Sequence, residues 1–178
     1  MSGKPKLATV WLGGCSGCHM SFLDLDERLL ELAGKVDLVA SPLVDTKAKD
    51  FPLVDVTLVE GAVVNEEHIE TLRRIRERSR LLVALGDCAV TGNVSAIRNA
   101  WPVQEVFDRA YRETSALVHG VPSAEFGVPA LLEKARPLHQ VVKVDLWLQG
   151  CPPSADRIWE AVSALLEGRE PRLERRFG

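Results

Sequence analysis

The chain has 178 residues, about the length of one domain, and its 46% hydrophobic and 26% charged residues are ordinary values for a folded globular protein. A net charge of -3 offers no basic surface to nucleic acid, so we expect no nucleic-acid partner. No apolar run approaches the roughly 18 residues that span a bilayer, so we expect no direct membrane insertion.

The first predicted elements are a strand and a helix. Residues 6–12 (KLATVWL) are apolar and β-branched, which predicts a buried strand that ends at Gly13. Over 19–33 the apolar residues fall three or four apart, which predicts one amphipathic helix with Gly34 as its C-cap.

Two strands, a helix and a fourth strand are predicted next. Residues 36–40 and 54–59 have strand character. Asn65 is a candidate N-cap for a helix that ends near Arg78, with acidic residues in its first turn and arginines in its last. Residues 81–85 (LLVAL) then predict another buried strand.

The pattern weakens between residues 92 and 137. Short helical stretches are predicted after Asn93 and after Pro102, and a loop is predicted over 120–129. The boundaries of these elements are therefore the least defined of the chain.

The last predicted elements restore the regular pattern. Residues 141–148 predict a strand, 154–167 a helix, and 169–178 a charged tail. The alternation of strands and helices predicts a single doubly wound α/β domain over 1–178, with a mainly parallel sheet and helices on both faces.

Every cysteine of the sequence follows a predicted strand. Cys15 and Cys18 come after the first strand, Cys88 after the fourth and Cys151 after the last. The carboxyl ends of parallel strands meet at one edge of a sheet, where loops distant in sequence converge on a ligand. We therefore expect the four thiols to lie together at this edge.

The cellular location bears on the chemistry of these thiols. The amino terminus has neither the long apolar core nor the cleavage site of an export signal, so the cytoplasm is the expected location. Thiols stay reduced there, and four cysteines indicate metal or redox chemistry rather than disulfides. Four thiolates at one place would also repel one another unless a cation neutralised them.

Tetrahedral zinc and a 4Fe-4S cluster both accept four cysteine ligands. Structural zinc sites are usually built from two close C-x-x-C pairs, but only Cys15 and Cys18 form such a pair here. Cys88 and Cys151 stand alone, which favours the cluster. The alternative is a zinc-stabilised non-redox binding domain.

Three segments resemble, in order, the ligand motifs of the small subunit of nickel-iron hydrogenases. They are 11–19 (WLGGCSGCH), 86–92 (GDCAVTG) and 150–153 (GCPP), and the resemblance extends over nearly the whole chain. It implies a flavodoxin-like fold and one 4Fe-4S cluster, with no catalytic residue on this chain.

The resemblance also implies a set of site residues. The cluster ligands would be Cys15, Cys18, Cys88 and Cys151. The residues supporting them would be Gly14, Gly17, Glu60, Thr91, Gly92 and Pro152. His19, beside the second ligand, is a candidate donor to a cluster sulfur or a candidate interface residue.

Further cofactors and partners are implied beyond this chain. A larger subunit would carry the nickel-iron centre, and diaphorase-type flavin and iron-sulfur subunits would carry FMN and bind NAD. The sequence has neither a G-x-G-x-x-G fingerprint nor a P-loop, and its first loop carries cysteines rather than a hydroxyl-rich phosphate cradle. We therefore expect neither NAD nor FMN on this chain.

Departures from the family pattern favour one type of hydrogenase. Longer small subunits carry an export signal and a further cluster-binding region, whereas short ones are similar to those of soluble NAD-reducing hydrogenases. The related subunit of respiratory NADH-quinone oxidoreductase has two adjacent cysteines where this sequence has Cys-Ser-Gly-Cys. The sequence thus predicts the electron-transfer subunit of a soluble NAD-reducing enzyme, with sulfhydrogenase, deazaflavin-reducing and quinone-linked membrane complexes as alternatives.

Overall fold

Short apolar segments form the strands of a central sheet in the computed structural model, which describes residues 3–44, 51–113 and 120–173. The strands in these ranges are β1 (Lys6–Trp11), β2 (Asp37–Ala40), β3 (Val54–Glu60), β4 (Val63–Asn65), β5 (Ser79–Leu85), β6 (Leu131–Arg136) and β7 (Leu146–Leu148). The central sheet has the order β2-β1-β3-β5-β7 with parallel pairing throughout. Strands β4 and β6 form a separate antiparallel pair.

The direction in which strands are added to the sheet reverses between β1 and β3. From β1 the chain moves outward to β2, then returns to β3 on the other side of β1 and continues to β5 and β7. This is the 2-1-3-4-5 order of flavodoxin-like sheets, whose ligand crevice lies at the carboxyl ends of the strands beside the reversal. The predicted doubly wound α/β fold is confirmed.

The helices follow β1, β4, β5 and β7 along the chain. They are α1 (Gly17–Leu23), α2 (Arg28–Lys35), α3 (Glu66–Arg78), α4 (Asp87–Thr91), α5 (Val103–Phe107) and α6 (Ala155–Leu166). The described ranges also contain 3-10 helices at Asn93–Ala100, Ala124–Phe126 and Leu138–Gln140 and a π-helix at Asp108–Glu113. Within the described parts of the chain, no helix has both the length and the apolar character to cross a membrane.

Two apolar layers, one on each face of the sheet, form the core. On β5, Leu82 packs in the same layer as Leu72 of α3. The next residue, Val83, points the other way and packs with Phe22 of α1 and Ile158 of α6. Burial of such side chains stabilises the fold by about 1.5–3 kcal/mol each. The two layers therefore hold helices on both faces and fix the strand ends relative to one another.

The prediction of one continuous helix over 19–33 is wrong, because the chain forms α1 and α2 there. Asp26 adopts a positive φ of 49°, a left-handed conformation that ends the helical run and that Asp tolerates better than most residues. Leu25 and Leu32 are buried on either side of the turn, so the apolar spacing continues across it. Gly34 is not a C-cap, because α2 continues to Lys35.

Helix α3 begins and ends where the sequence predicts. The Asn65 side chain accepts a hydrogen bond of 2.8 Å from the backbone N–H of His68, which satisfies an amide that the first helical turn leaves free. The helix ends at Arg78. The predicted N-cap and the final turn are confirmed.

The β4–β6 pair was not predicted, and β7 is shorter than the predicted strand over 141–148. In β6, Glu133 and Lys134 are both exposed, so this peripheral strand lacks a clear apolar alternation. Val141 and Val142 pack against the core without belonging to a strand. Because these residues are apolar, the sequence predicted a strand that begins earlier in the chain than β7 does.

The short helical stretches predicted after Asn93 and Pro102 are confirmed as a 3-10 helix and α5. Residues 114–119 and residues 174–178 of the predicted tail lie outside the described residues. The charged tail and the assignment of one domain to the whole chain stay predictions.

Candidate metal centre

The four cysteines lie at the carboxyl edge of the central sheet. Cys15 is in the loop between β1 and α1, and Cys18 is in the first turn of α1. Cys88 is in the first turn of α4, directly after β5, and Cys151 is in the loop after β7. All four are free thiols.

The surroundings of the Cys18 thiol disfavour its ionisation. Burial raises the pKa of the Cys18 thiol, and the negative charges of Glu60, Cys15, Cys88 and Cys151 raise it further. Each added thiolate would therefore oppose the ionisation of Cys18. A cationic group bound among them would reverse this effect, because metal ligands bind as thiolates.

Gly86 makes room for the second cysteine. A methyl group on its Cα would lie 2.1 Å from the Cys18 sulfur, and its φ of +80° is a conformation that favours glycine. Gly86 also donates its N–H to the carbonyl of Leu148 at 2.8 Å, which draws the ends of β5 and β7 together. Gly86 is one of the glycines that flank the cysteines in the sequence, where glycine is expected to let the backbone approach a ligand closely.

Asp87 joins the loops of Cys88 and Cys151. Its backbone N–H donates to the Gly150 carbonyl at 2.9 Å, and its carboxylate Oδ1 accepts the Gly150 N–H at 2.8 Å. These two hydrogen bonds hold the Cys88 loop and the Cys151 loop in fixed positions relative to each other. The sequence analysis did not predict this role of Asp87. Its position directly before a cysteine was the one feature of the sequence that could have indicated it.

The first cysteine loop is held by contacts on two sides. The Ser21 hydroxyl of α1 donates to the carbonyl of Pro153 at 2.6 Å, and both residues are buried. On the other side, the Ser95 hydroxyl donates to the carbonyl of Gly13 at 2.7 Å, and Gly13 forms an isolated β-bridge with Ala62. The loops that carry the cysteines are therefore mutually fixed by hydrogen bonds.

Glu60 lies beneath the site at the end of β3 and is 1% exposed. Its Oε2 accepts the backbone N–H of His19 at 2.9 Å and is also bonded to Nδ1 of the same imidazole. The indole of Trp11 stacks on that imidazole, with ring centroids 5.2 Å apart and an angle of 16° between the planes. Glu60 is therefore a buried carboxylate that anchors α1 to β3.

His19 itself is fully buried. Its Nε2 has no hydrogen-bond partner among the described residues. Its two candidate roles, as a donor to a cluster sulfur or as an interface residue, stay predictions.

The predicted supporting glycines lie close to the ligands or to Glu60. A methyl group on Gly17 would lie 3.3 Å from the Cys15 sulfur and 3.9 Å from Cβ of Pro152. A methyl group on Gly14 would lie 3.6 Å from Oε1 of Glu60. The first and last cysteine loops thus approach each other at Gly17 and Pro152.

Thr91 and Gly92 end α4. The Thr91 hydroxyl donates to the carbonyl of Asp87 at 2.9 Å, within its own helix. Gly92 has a φ of +92° and its N–H donates to the carbonyl of Cys88 at 3.0 Å. Their predicted support of a cofactor stays a prediction.

Asn93 contacts a cysteine directly, which sequence reasoning missed. Its amide Nδ2 donates to the sulfur of Cys151 at 3.2 Å. The sequence marked Asn93 only as the start of a helical stretch.

The arrangement suits a 4Fe-4S cluster. Within 3–44, 51–113 and 120–173, no group of three or more His, Cys, Asp or Glu side chains is positioned to hold a single metal ion. A cubic cluster binds one cysteine at each of four irons, so its ligands need not meet at one point. The burial of Cys18 and Cys88, the room that Gly86 leaves for the Cys18 sulfur and the hydrogen-bond donor on Cys151 all fit such a group.

Fold and site together define a class of protein, a flavodoxin-like domain that gathers four cysteines at the carboxyl edge of its sheet. The family model described as NADH ubiquinone oxidoreductase, 20 Kd subunit, matches residues 15–165. The chain belongs to this family.

Relatives within the family are hydrogenase subunits. The chain is 41% identical over 170 residues to subunit delta of the NAD-reducing hydrogenase HoxS of Cupriavidus necator, covering 94% of this chain and 81% of that subunit. It is 42% identical over 176 residues to a subunit of the F420-non-reducing hydrogenase of Methanothermobacter marburgensis, covering 97% of this chain and 57% of that relative. It thus spans little more than half of this second relative.

A solved structure agrees with these relatives. A chain in the crystal structure of an NAD+-reducing NiFe hydrogenase in the H2-reduced state matches with a TM-score of 0.93 and 42% identity, covering 99% of this chain and 100% of that one. The predicted resemblance to hydrogenase small subunits is confirmed.

Proposed function

We propose that this chain is the electron-transfer small subunit of a nickel-iron hydrogenase and that Cys15, Cys18, Cys88 and Cys151 hold one 4Fe-4S cluster. The observation that carries the proposal is the position of four thiols after three strand ends at one edge of the sheet, in loops that hydrogen bonds join to one another. Such a cluster supplies one-electron transfer when bound. The chain itself breaks no bond of a substrate.

Burial divides the four ligands into an inner and an outer pair. Cys18 and Cys88 are each 7% exposed, whereas Cys15 and Cys151 are exposed. The inner pair would fix the group to the domain and exclude water from its buried side. The outer pair would face the surface at which an electron enters or leaves.

Exposed apolar residues that lie near the cysteines in the chain support a partner subunit at this edge. Trp11, Met20 and Val94 are 38%, 45% and 48% exposed, and each is within a few residues of a ligand or of Asn93. Neighbouring exposed apolar residues commonly mark protein interfaces. We propose that a larger subunit carrying a nickel-iron centre covers them.

The proposed electron acceptor is NAD, reached through diaphorase-type flavin and iron-sulfur subunits that carry FMN, and the proposed location is the cytoplasm. The 41% identity to subunit delta of an NAD-reducing hydrogenase, over 81% of its length, supports this assignment. The overall reaction would be the reversible reduction of NAD+ by H2. The second candidate is the function of F420-non-reducing hydrogenases, which the 42% identity to the Methanothermobacter marburgensis relative favours.

Anaerobic purification of the chain with its bound subunits tests the proposal. We expect about four irons per copy of this chain beyond those of its partners, nickel in a larger co-purifying subunit, and an EPR signal after reduction. One zinc per chain without iron would contradict the proposal and support the zinc-stabilised alternative. H2-dependent reduction assays with NAD+ and with other acceptors would then separate the two hydrogenase types.

A further inference from the structure

Asn93 is placed to act on the outer edge of the metal centre. Its amide Nδ2 lies 3.2 Å from the sulfur of Cys151, and Asn93 is 58 residues from that cysteine in the chain. Cys151 belongs to the outer pair of cysteines and is exposed.

The backbone around Asn93 selects this residue type. Asn93 has a φ of +33°, and it follows Gly92, whose φ is +92°. Asn is one of the few residues other than Gly that adopt positive φ readily. The backbone can therefore turn sharply here and still carry a hydrogen-bond donor, which Gly could not supply.

The far end of the same 3-10 helix is fixed to the neighbouring sheet. Asn99 donates through Nδ2 to the carbonyl of Ala135 and accepts the N–H of Ala135 at Oδ1, each at 2.8 Å. The Asn99 side chain thus makes to β6 the same pair of hydrogen bonds that a residue of a neighbouring strand would make. The helix that carries Asn93 is thus anchored away from the cysteines, and its first residue is held against Cys151.

A donor on a ligand sulfur changes the balance between the oxidised and reduced forms of an iron-sulfur cluster. Reduction adds negative charge that is partly carried by the ligand sulfurs, and an N–H donor stabilises that charge. We propose that Asn93 raises the reduction potential of the centre through its hydrogen bond to Cys151. This inference rests on the proposed function, because it requires a cluster on the four cysteines.

The test is a redox titration, followed by EPR, of the assembled enzyme with Asn93→Gly and Asn93→Asp. Both residues tolerate positive φ; Gly removes the donor, and Asp replaces it with a negatively charged acceptor. Near the parent midpoint we expect the ratio of reduced to oxidised centre to fall several-fold, up to about tenfold, in Asn93→Gly. Tenfold corresponds to about 59 mV for one electron. A larger fall is expected in Asn93→Asp.

Gln104→Ala is the matched control, because it removes an exposed side-chain amide that donates to Asp108 at 3.0 Å and lies in α5, outside the 3-10 helix that carries Asn93. Its midpoint potential should equal that of the parent. An unchanged midpoint in both Asn93 variants, or an equal shift in Gln104→Ala, would overturn the inference while leaving the cluster in place. Absence of iron from the parent enzyme would instead overturn the proposed function.

Discussion

At the scale of single residues, Gly86 illustrates how tightly the second cysteine is enclosed. No side chain fits between its Cα and the sulfur of Cys18, and its positive φ adds a backbone preference for glycine. Gly34 offers a contrast, because a methyl group there would meet nothing within 4 Å and the residue lies inside α2. Substitution by alanine should therefore disturb the structure at Gly86 and stabilise it at Gly34.

Gly86→Ala is expected to lower the iron bound per chain by about half or more, because the new methyl group displaces a ligand sulfur and metal sites depend on ligand position. Iron analysis of the anaerobically purified protein measures this effect. Gly34→Ala is the control. It should keep the iron and raise the free energy of unfolding by about 0.5–1 kcal/mol, the gain of Ala over Gly in a helix. Full iron content in Gly86→Ala would show that the close approach of Gly86 to the Cys18 sulfur is not needed for iron binding.

At the scale of elements, a polar network aligns β5 with β7, the two strands that lead to Cys88 and Cys151. The carboxylate of Asp145 accepts the backbone N–H of Leu82 at 2.8 Å and pairs with the guanidinium of Arg76. Arg76 also donates to the carbonyl of Lys143. The Arg76 side chain of α3 thus holds the segment that precedes β7 next to β5.

The charge state of Asp145 makes this network sensitive to acid. Partial burial acts to raise the pKa of Asp145, but the Leu82 N–H and the Arg76 guanidinium prevail and lower it. A lowered carboxyl pKa stabilises the fold above the pKa of the unfolded state, about pH 4, and this contribution is lost as the pH falls through the lowered value.

Asp145→Asn should lower the free energy of unfolding at pH 7 by about 1–3 kcal/mol, because a charged hydrogen-bond partner is lost from a half-buried site. Denaturant titrations at pH 7 and near pH 3 measure the difference from the parent, which should narrow in acid. Asp156→Asn is the control. Its side chain is 87% exposed and pairs with Arg28, so its effect should be about 0–1 kcal/mol. A difference for Asp145→Asn that does not change with pH would contradict the argument.

At the scale of the whole molecule, exposed apolar residues lie close in the chain to the candidate metal centre. Met20 lies in α1, two residues after Cys18, and is 45% exposed. Leu30 is 78% exposed but lies in α2, beyond the turn at Asp26. The proposed large subunit should depend on the first of these side chains and not on the second.

Met20→Glu is expected to weaken association with the nickel-bearing subunit about tenfold or more, because a charge would be buried in the interface. The nickel that co-purifies with this chain, at unchanged iron per chain, measures the effect. Leu30→Glu should leave both metal contents unchanged. Equal nickel loss in the two variants would show that the carboxyl edge is not the specific docking surface.

The sequence by itself determined the alternation of strands and helices, the cap of α3 and the position of every cysteine after a strand. These features depend on local periodicity and on residues next to each other in the chain, so a linear pattern records them. The cysteine motifs also carried the resemblance to hydrogenase small subunits. The break at Asp26 escaped prediction because the apolar spacing continues across it.

Only the tertiary structure decided how the site is held together. The bond between Asp87 and Gly150 joins residues 63 apart in the chain, and the bond between Asn93 and Cys151 joins residues 58 apart. The burial of Glu60 likewise follows from the placement of α1 over the end of β3. No local pattern specifies such pairs, because their partners meet only after the two apolar layers have packed on the sheet and brought the strand ends together.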